Sequence, residues 1–184
     1  MSVRLIKIVI WFSIVVMAIW GMKWLINSYS VSELQDAVEA YYWPIIAGYA
    51  LLLSLRGLLF LPTMPVIIMM ANSVDYWVMF SVTLSATCCS AYLVCLAVDN
   101  LDMHKKLNAL PNKSIKRAQR WINSSGMAAV TGWAFFPFVF TDLIVYLARL
   151  SGMSYKQILL GVAIGEGLLI FIIIVTTEWL VNML

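Results

Sequence analysis

Four charged residues, Arg56, Asp75, Asp142 and Glu166, lie in stretches of sequence that are otherwise nearly all apolar. An ionised side chain at the depth of a bilayer costs from roughly 3 to more than 10 kcal/mol, depending on how the cost is measured. Charges that persist there face a protein interior or a wet cavity, where they pair or mark a pathway. The sequence therefore indicates a membrane protein that handles something polar.

The composition favours the same class. Of 184 residues, 63% are hydrophobic and 11% are charged, whereas soluble domains have roughly 25% charged residues. Several apolar stretches approach the about 20 residues with which a helix crosses about 30 Å of hydrocarbon. A soluble fold of this length could not cover so much apolar surface.

Little in the sequence predicts catalysis. The one histidine, His104, lies in a polar stretch, and Cys88, Cys89 and Cys95 show neither CxxC spacing nor a nearby histidine. Neither a zinc site nor a disulfide framework is indicated. The HExxH, GxSxG and phosphate-loop motifs are absent. We expect a protein that is not an enzyme and that needs no metal or cofactor.

Two polar stretches predict the orientation. Residues 31–42 carry three acidic residues and no basic one, and they predict a short extracytoplasmic helix. Residues 99–125 form a basic loop, predicted to be cytoplasmic together with the N-terminus around Arg4 and Lys7. We interpret this loop as a topology determinant that contacts anionic headgroups, with no role in nucleic-acid binding. Its basic residues are Lys105, Lys106, Lys113, Lys116, Arg117 and Arg120.

With this orientation, the apolar sequence is longer than the predicted number of membrane crossings requires. Residues 1–30 are interpreted as a transmembrane helix, since no small-x-small cleavage site follows the apolar run. Residues 43–98 must then cross once, although about 56 residues suffice for more than two spans. One hairpin must enter and leave by the same face. Pro62 and Pro65 are its predicted tip, because proline lacks an amide donor and the residue before it avoids helical angles.

Residues 126–184 predict the same arrangement, a hairpin followed by a transmembrane helix, in the opposite orientation across the membrane. The expected fold is an all-α polytopic membrane protein. It has an inverted repeat of re-entrant hairpin plus transmembrane helix, preceded by the N-terminal transmembrane helix. Such repeats place a binding site at the midplane. The predicted arms and spans are Trp43–Leu61, Val66–Val74 and Tyr76–Val98, then Gly126–Phe136, a tip at Pro137, Phe138–Leu150 and Ser154–Leu180.

Glu166 is the deepest charge, near the middle of the last predicted span. Gly161 and Gly165, four residues apart, and Gly167 would let a neighbouring hairpin approach closely. Glu166 is expected either to carry a proton or to balance Arg56 in a structural ion pair.

Arg56 and Asp142 also have two interpretations each. Arg56 either snorkels to an interface or binds an anion. Asp142 either caps a helix or contacts a substrate. Asp75, beside Tyr76 and Trp77, is predicted to lie at the interface. The predicted pathway residues are Arg56, Asp142 and Glu166.

Two segments resemble a known family. Residues 55–98 open with Leu-Arg-Gly-Leu-Leu-Phe-Leu-Pro-Thr-Met-Pro, and residues 135–167 contain Phe-Phe-Pro-Phe-Val-Phe-Thr-Asp-Leu-Ile-Val-Tyr-Leu-Ala-Arg-Leu-Ser-Gly-Met. Both resemble the VTT-domain membrane proteins, also called the DedA or SNARE-associated Golgi protein superfamily, over roughly residues 40 to 180. The resemblance implies two opposed re-entrant hairpins. For several members it implies movement of lipids or polyprenyl phosphates between leaflets, with proton coupling in bacteria.

The resemblance includes agreements and departures. Pro62 or Pro65, Pro137, and Asp142 followed by Tyr146 match the family pattern. The family usually has glycines where this chain has Ala71, Asp75, Ser85 and Cys89, and an arginine where it has Ala134. Arg56 or Arg149 would have to replace that arginine in binding an anionic headgroup.

The expected function is therefore translocation of a lipid or polyprenyl phosphate, with Arg56 attracting the headgroup. Glu166, with or without Asp142, would exchange a proton or gate the pathway. The expected location is the bacterial inner membrane, and the oligomeric state stays open, a homo-oligomer included. Two alternatives are a small-ion or proton antiporter and a non-transporting adaptor that docks a partner through the basic loop.

Overall fold

The computed structural model describes residues 13, 16, 20, 31–59, 61–71, 73–100, 120–122, 124–136 and 141–183, with the side chains of all of these except residues 31, 32, 34, 35 and 178–183. Most of the predicted N-terminal span, most of the basic loop and the predicted tip at Pro137 lie outside the described residues. The regular elements are helices: α1 Val31–Ala40, α2 Tyr42–Leu59, α3 Met64–Ala71, α4 Tyr76–Asn100, α5 Met127–Ala134, α6 Thr141–Leu150 and α7 Tyr155–Met183.

Helix length divides these elements into two kinds. Three are long and apolar enough to cross a membrane, namely α2, α4 and the Tyr155–Thr177 part of α7. Helices α3 and α5 have 8 residues each and α6 has 10. At 1.5 Å per residue, these three span only about 12–15 Å, which is about half of the hydrocarbon thickness.

Two of the long helices, α4 and α7, form the centre of the bundle. They pack against each other, α2 packs on α4, and α5 packs on α7. The first half of the bundle is α2 to α4 and the second half is α5 to α7. The short helix α3 contacts α7, and the short helix α6 contacts α4, so each packs on the long central helix of the other half. These pairs of contacts are preserved when α2, α3 and α4 are exchanged with α5, α6 and α7, whereas the contact between α5 and α6 has no equivalent of its size between the described residues of α2 and α3.

The chain leaves the helical conformation between α2 and α3. The amide of Leu61 donates to the carbonyl of Arg56 at 3.1 Å, a bond that spans five residues and closes the end of α2. Pro62 lies exposed in the non-helical residues 61–63, and Pro65 lies in the first turn of α3, where its missing amide hydrogen leaves no bond unmade. This break leaves Arg56 in the last turn of α2.

Asp75 begins the second long helix. Its Oδ1 accepts hydrogen bonds from the amides of Trp77 at 3.0 Å and Val78 at 3.3 Å, as a helix-capping carboxylate does. The Trp77 side chain beside it is 68% exposed. Asp75 therefore has a local role at the start of α4 and lies apart from the buried charges.

Glycines on α7 allow α5 to approach. A Cβ at residue 165 would fall on the carbonyl oxygen of Thr131 and 2.8 Å from the Cβ of Ala134. A Cβ at Gly161 would lie 3.0 Å from the Cβ of Val130. At Gly167 the nearest atom is Leu84 Cδ1 at 3.5 Å, an ordinary contact. Two of the three glycines are therefore closely packed against α5, and the third has room for a methyl group.

We expect Gly165→Ala to lower the free energy of unfolding by about 1–3 kcal/mol, because its methyl group would overlap backbone atoms of α5. The matched control is Gly167→Ala, which should change it by less than about 1 kcal/mol, since alanine fits there and favours a helix. Reversible unfolding in detergent micelles measures both. Equal destabilisation by the two substitutions would contradict the described packing of α5 on α7.

Candidate functional site

Arg56 is the centre of a buried polar cluster. The residue is only 5% exposed. Its Nη2 donates to Oε1 of Glu166 in α7, and its Nη1 donates to the hydroxyl of Thr63, in the break that follows α2, at 3.3 Å. The guanidinium therefore connects the end of α2 to the middle of a long helix that lies 110 residues further along the chain.

Asp142 is the second carboxylate of this cluster. It lies in the first turn of α6 and is 5% exposed. Its Oδ2 lies 3.9 Å from Arg56 Nε, a nitrogen that is buried and has no hydrogen-bond acceptor. Its Oδ1 accepts a hydrogen bond of 3.4 Å from the hydroxyl of Ser90 in α4. The structure thus brings the three predicted pathway residues together, with Glu166 bound more directly to the arginine than Asp142 is.

Gly57 allows this cluster to close. A Cβ at that position would lie 2.5 Å from Asp142 Oδ1 and 2.7 Å from Ser90 Oγ. The amide of Gly57 donates to Ser90 Oγ at 3.0 Å. Sequence reasoning missed Gly57 and Ser90, although a glycine directly after a charge in an apolar run was a signal that something must approach the backbone there.

The charges of the cluster do not balance. One guanidinium faces two carboxylates, so full ionisation leaves a formal excess of one negative charge in a buried site. An uncompensated buried charge is strongly unfavourable, and such a site relieves it by binding a proton or a cation. Within the described residues, no group of three or more His, Cys, Asp and Glu side chains could hold a metal ion. The chemistry that fits this arrangement is the exchange of a proton or a cation, and the arginine could bind an anion once a carboxylate is neutralised.

Arg149 belongs to a different cluster. Its Nε and Nη2 donate to the two carboxylate oxygens of Asp99 at 2.9 and 2.8 Å, and its Nη1 donates to the carbonyl of Met153 at 2.9 Å. The Tyr155 hydroxyl donates to the same carboxylate, and the guanidinium lies 4.4 Å from the centre of its ring. These bonds hold the ends of α4 and α6 to the start of α7, at a partly exposed position.

A groove lies on the outside of the bundle between α2 and α4. Small residues line it, and its volume is about 410 Å³. Ser54 in the groove is two residues before Arg56, and Cys89 directly precedes Ser90. The groove therefore runs along the same two helices that hold the buried cluster. Its lining residues are Ala50, Ser54, Ser81, Val82, Ser85, Ala86 and Cys89.

The charge count predicts an order of effects on stability. Arg56→Met should lower the free energy of unfolding most, by about 3–5 kcal/mol, because two buried carboxylates would lose their cation. Asp142→Asn should have the smallest effect, less than about 1 kcal/mol, because it removes the excess charge and keeps the Arg56–Glu166 bond. Unfolding in micelles at neutral pH measures both. Equal destabilisation by Asp142→Asn and Arg56→Met would contradict the described charge balance of the cluster.

Comparison with known proteins identifies the family. The VTT domain matches residues 61–178, a range that includes α3 through most of α7 and both carboxylates of the cluster. No curated protein and no solved structure matches the chain. The apolar helices and this domain indicate an integral membrane protein. Because the match covers more than half of the chain, the chain belongs to the VTT-domain family.

Proposed function

We propose that the protein moves lipids with phosphate headgroups, either phospholipids or polyprenyl phosphates, between the leaflets of a bilayer. The observation that carries this proposal is the burial of Arg56 between two carboxylates that come from the other half of the chain. Arginine binds phosphate through the same forked geometry with which it binds carboxylate. A headgroup phosphate can therefore take the place of a carboxylate at Arg56.

Proton exchange makes this replacement favourable. A phosphate would be repelled by two ionised carboxylates, and protonation of one of them lowers that repulsion. Arg56 donates directly to Glu166, whereas Asp142 lies 3.9 Å from a nitrogen without an acceptor. Asp142 is therefore the carboxyl that takes the exchangeable proton, and Glu166 is the counter-ion that holds Arg56 between cycles.

The arrangement of the helices supports an inverted repeat. Each half has a short helix that packs on the long helix of the other half. Helices of 8 to 10 residues do not cross a bilayer and suit re-entrant hairpins, whose tips would lie near Pro62 and Pro137. The first hairpin would have one long arm, α2, and one short arm, α3. The proposed location is the bacterial inner membrane, with the basic loop on the cytoplasmic side.

The groove between α2 and α4 supports access from the lipid. Ser81, Ser85 and Cys89 are exposed there, in helices that are otherwise strongly apolar. Hydroxyl and thiol groups in such a groove can stabilise a polar headgroup while the acyl chains stay in the bilayer. Headgroups would then pass along the groove and exchange with the carboxylates at Arg56.

A small-ion or proton antiporter is the second candidate. The observation that favours it is the formal excess of one negative charge in the buried cluster. An antiporter would move protons or cations through these carboxylates without moving lipid. The two functions therefore differ in what crosses the bilayer.

Reconstitution in liposomes with labelled phospholipid and polyprenyl phosphate tests the proposal. We expect translocation by the wild-type protein and a fall of about 10-fold or more in Arg56→Gln, because the anion-binding group is lost. Arg56→Lys should fall between them, since it keeps the charge but not the fork. Lys156→Gln, at an exposed position on α7, is the control for loss of a positive charge and should translocate normally.

The same liposomes distinguish the outcomes. A folded Arg56→Lys or Arg56→Gln protein that translocates at the wild-type rate would contradict the role of the arginine. Dissipation of a pH gradient without lipid movement would replace the proposal by the antiporter. Glu166→Gln should also slow translocation, because it removes the counter-ion that releases the headgroup from Arg56.

A further inference from the structure

Helix α4 presents three hydroxyl groups to the interior. Thr83, Thr87 and Ser90 are each at most 1% exposed. Their spacing of four and then three residues places them on one face of the helix. This face continues from the neighbourhood of Tyr49 to the carboxylate of Asp142.

The two ends of this row are hydrogen-bonded. The Tyr49 hydroxyl lies 2.8 Å from Thr83 Oγ1, which is also 2.7 Å from the carbonyl oxygen of Met79. Since the single hydroxyl proton of Thr83 points to that carbonyl, Tyr49 donates to Thr83. At the other end Ser90 donates to Asp142.

The middle hydroxyl is different. Thr87 Oγ1 is buried and has no hydrogen-bond partner. A buried hydroxyl without a partner is unfavourable, so such a group in a native protein calls for a ligand or a water. Side chains three or four residues apart on a helix have Cβ atoms about 5–6 Å apart, too far for direct hydrogen bonds between hydroxyls. Two hydrogen bonds of about 2.8 Å through one water cover this distance.

We propose that two waters, one on each side of Thr87, join these hydroxyls into a chain through which Asp142 gains and loses its proton. Thr83 and Thr87 supply polar partners for one of these buried waters, and Thr87 and Ser90 supply them for the other. This inference rests on the proposed function only in taking Asp142 as the carboxyl that exchanges a proton. It adds the binding site for water and the route.

Proton transfer along this chain is balanced. Ser90 gives its hydroxyl proton to the Asp142 carboxylate and receives one from the water between it and Thr87. That water takes the hydroxyl proton of Thr87, which is resupplied through the second water by Thr83, once the Thr83 hydroxyl has rotated away from the carbonyl of Met79, and Thr83 takes the proton of Tyr49. One proton that enters the chain at its Tyr49 end thus neutralises Asp142, and each oxygen ends with the bonds it began with. Rotation of the hydroxyls then restores the starting orientation.

The described charged and titratable groups near this row of hydroxyls offer the proton no other route to Asp142. Those that act on Asp142 are Arg56 from α2, Glu166 from α7 and Tyr146 from α6 itself. Cys88 on α4 interacts with Arg56 and Glu166. Helices α3 and α5 contain no ionisable side chain. Ser90 is the hydroxyl that donates to the Asp142 carboxylate, which makes it the point of delivery.

Infrared spectroscopy of the protein in lipid films tests the chain without any need for transport. The protonated carboxyl band of Asp142 is assigned by its loss in Asp142→Asn, and its shift after H₂O is replaced by D₂O reports proton access. Thr87→Val keeps the shape of the side chain and removes the hydroxyl. We expect it to slow this exchange by about 10-fold or more, and we expect Thr87→Ser to restore the rate. The matched control is Thr177→Val on α7, whose hydroxyl donates to the carbonyl of Ile173 at 2.7 Å. It should exchange normally.

Two results would overturn the proposal. One is a Thr87→Val protein whose Asp142 band exchanges at the wild-type rate. The other is the lack of a protonated carboxyl band assignable to Asp142 at every pH at which the protein stays folded. The melting temperature gives an independent reading, because valine should raise it if the Thr87 site is dry, and our proposal expects no rise. Liposomes that move no lipid while the infrared result holds would refute the proposed function alone.

Discussion

A guanidinium removed from water must have partners, and this requirement determines how the helices of the chain are arranged. Arg56 is 5% exposed, and its acceptors come from the break after α2 and from the middle of α7, with a further carboxylate from α6 beside it. Removing one partner of a buried ion pair typically costs about 3–5 kcal/mol. The end of α2 is therefore held in place by its contact with the second half of the chain, and chiefly by the bond from Arg56 to Glu166.

This requirement accounts for the close packing around the cluster. Backbone must come near side chains for the charges to meet, and residues 57 and 165 are glycines where a Cβ would overlap neighbouring atoms. The short helices α3 and α6 contact the long helix of the opposite half, which brings the start of α6 to Arg56. Packing and charge pairing thus depend on each other, since neither half can complete the cluster alone.

Sequence reasoning predicted the parts of the site and left their connections open. Charges in apolar runs identified Arg56, Asp142 and Glu166, and the prolines at 62 and 65 predicted the break between α2 and α3. Whether Glu166 meets Arg56 could not be decided, because the contact joins residues 110 positions apart. Hydrophobic pattern reports which face of a helix is buried and not which helix covers it.

The remaining differences have local physical causes. Ser90 and Thr63 carry no sequence signal, since hydroxyls are common in membrane helices and gain a role here only through the neighbouring arginine and aspartate. Asp75 was predicted to lie at the interface, and the structure gives it a role in capping α4. That role depends on backbone amides, whose positions a sequence does not display. The residues that the resemblance implied, Asp142 among them, lie in the range that the VTT domain matches.

The contact between Arg56 and Glu166 is the central claim of this account, and a double-mutant cycle tests it most directly. The free energy of unfolding would be measured in micelles for the wild-type protein, Arg56→Met, Glu166→Gln and the double variant. We predict a coupling energy of about 2 kcal/mol or more, because the second substitution removes a charge that the first has left unpaired. Additivity within about 0.5 kcal/mol would show that the two side chains do not interact, and it would contradict the account.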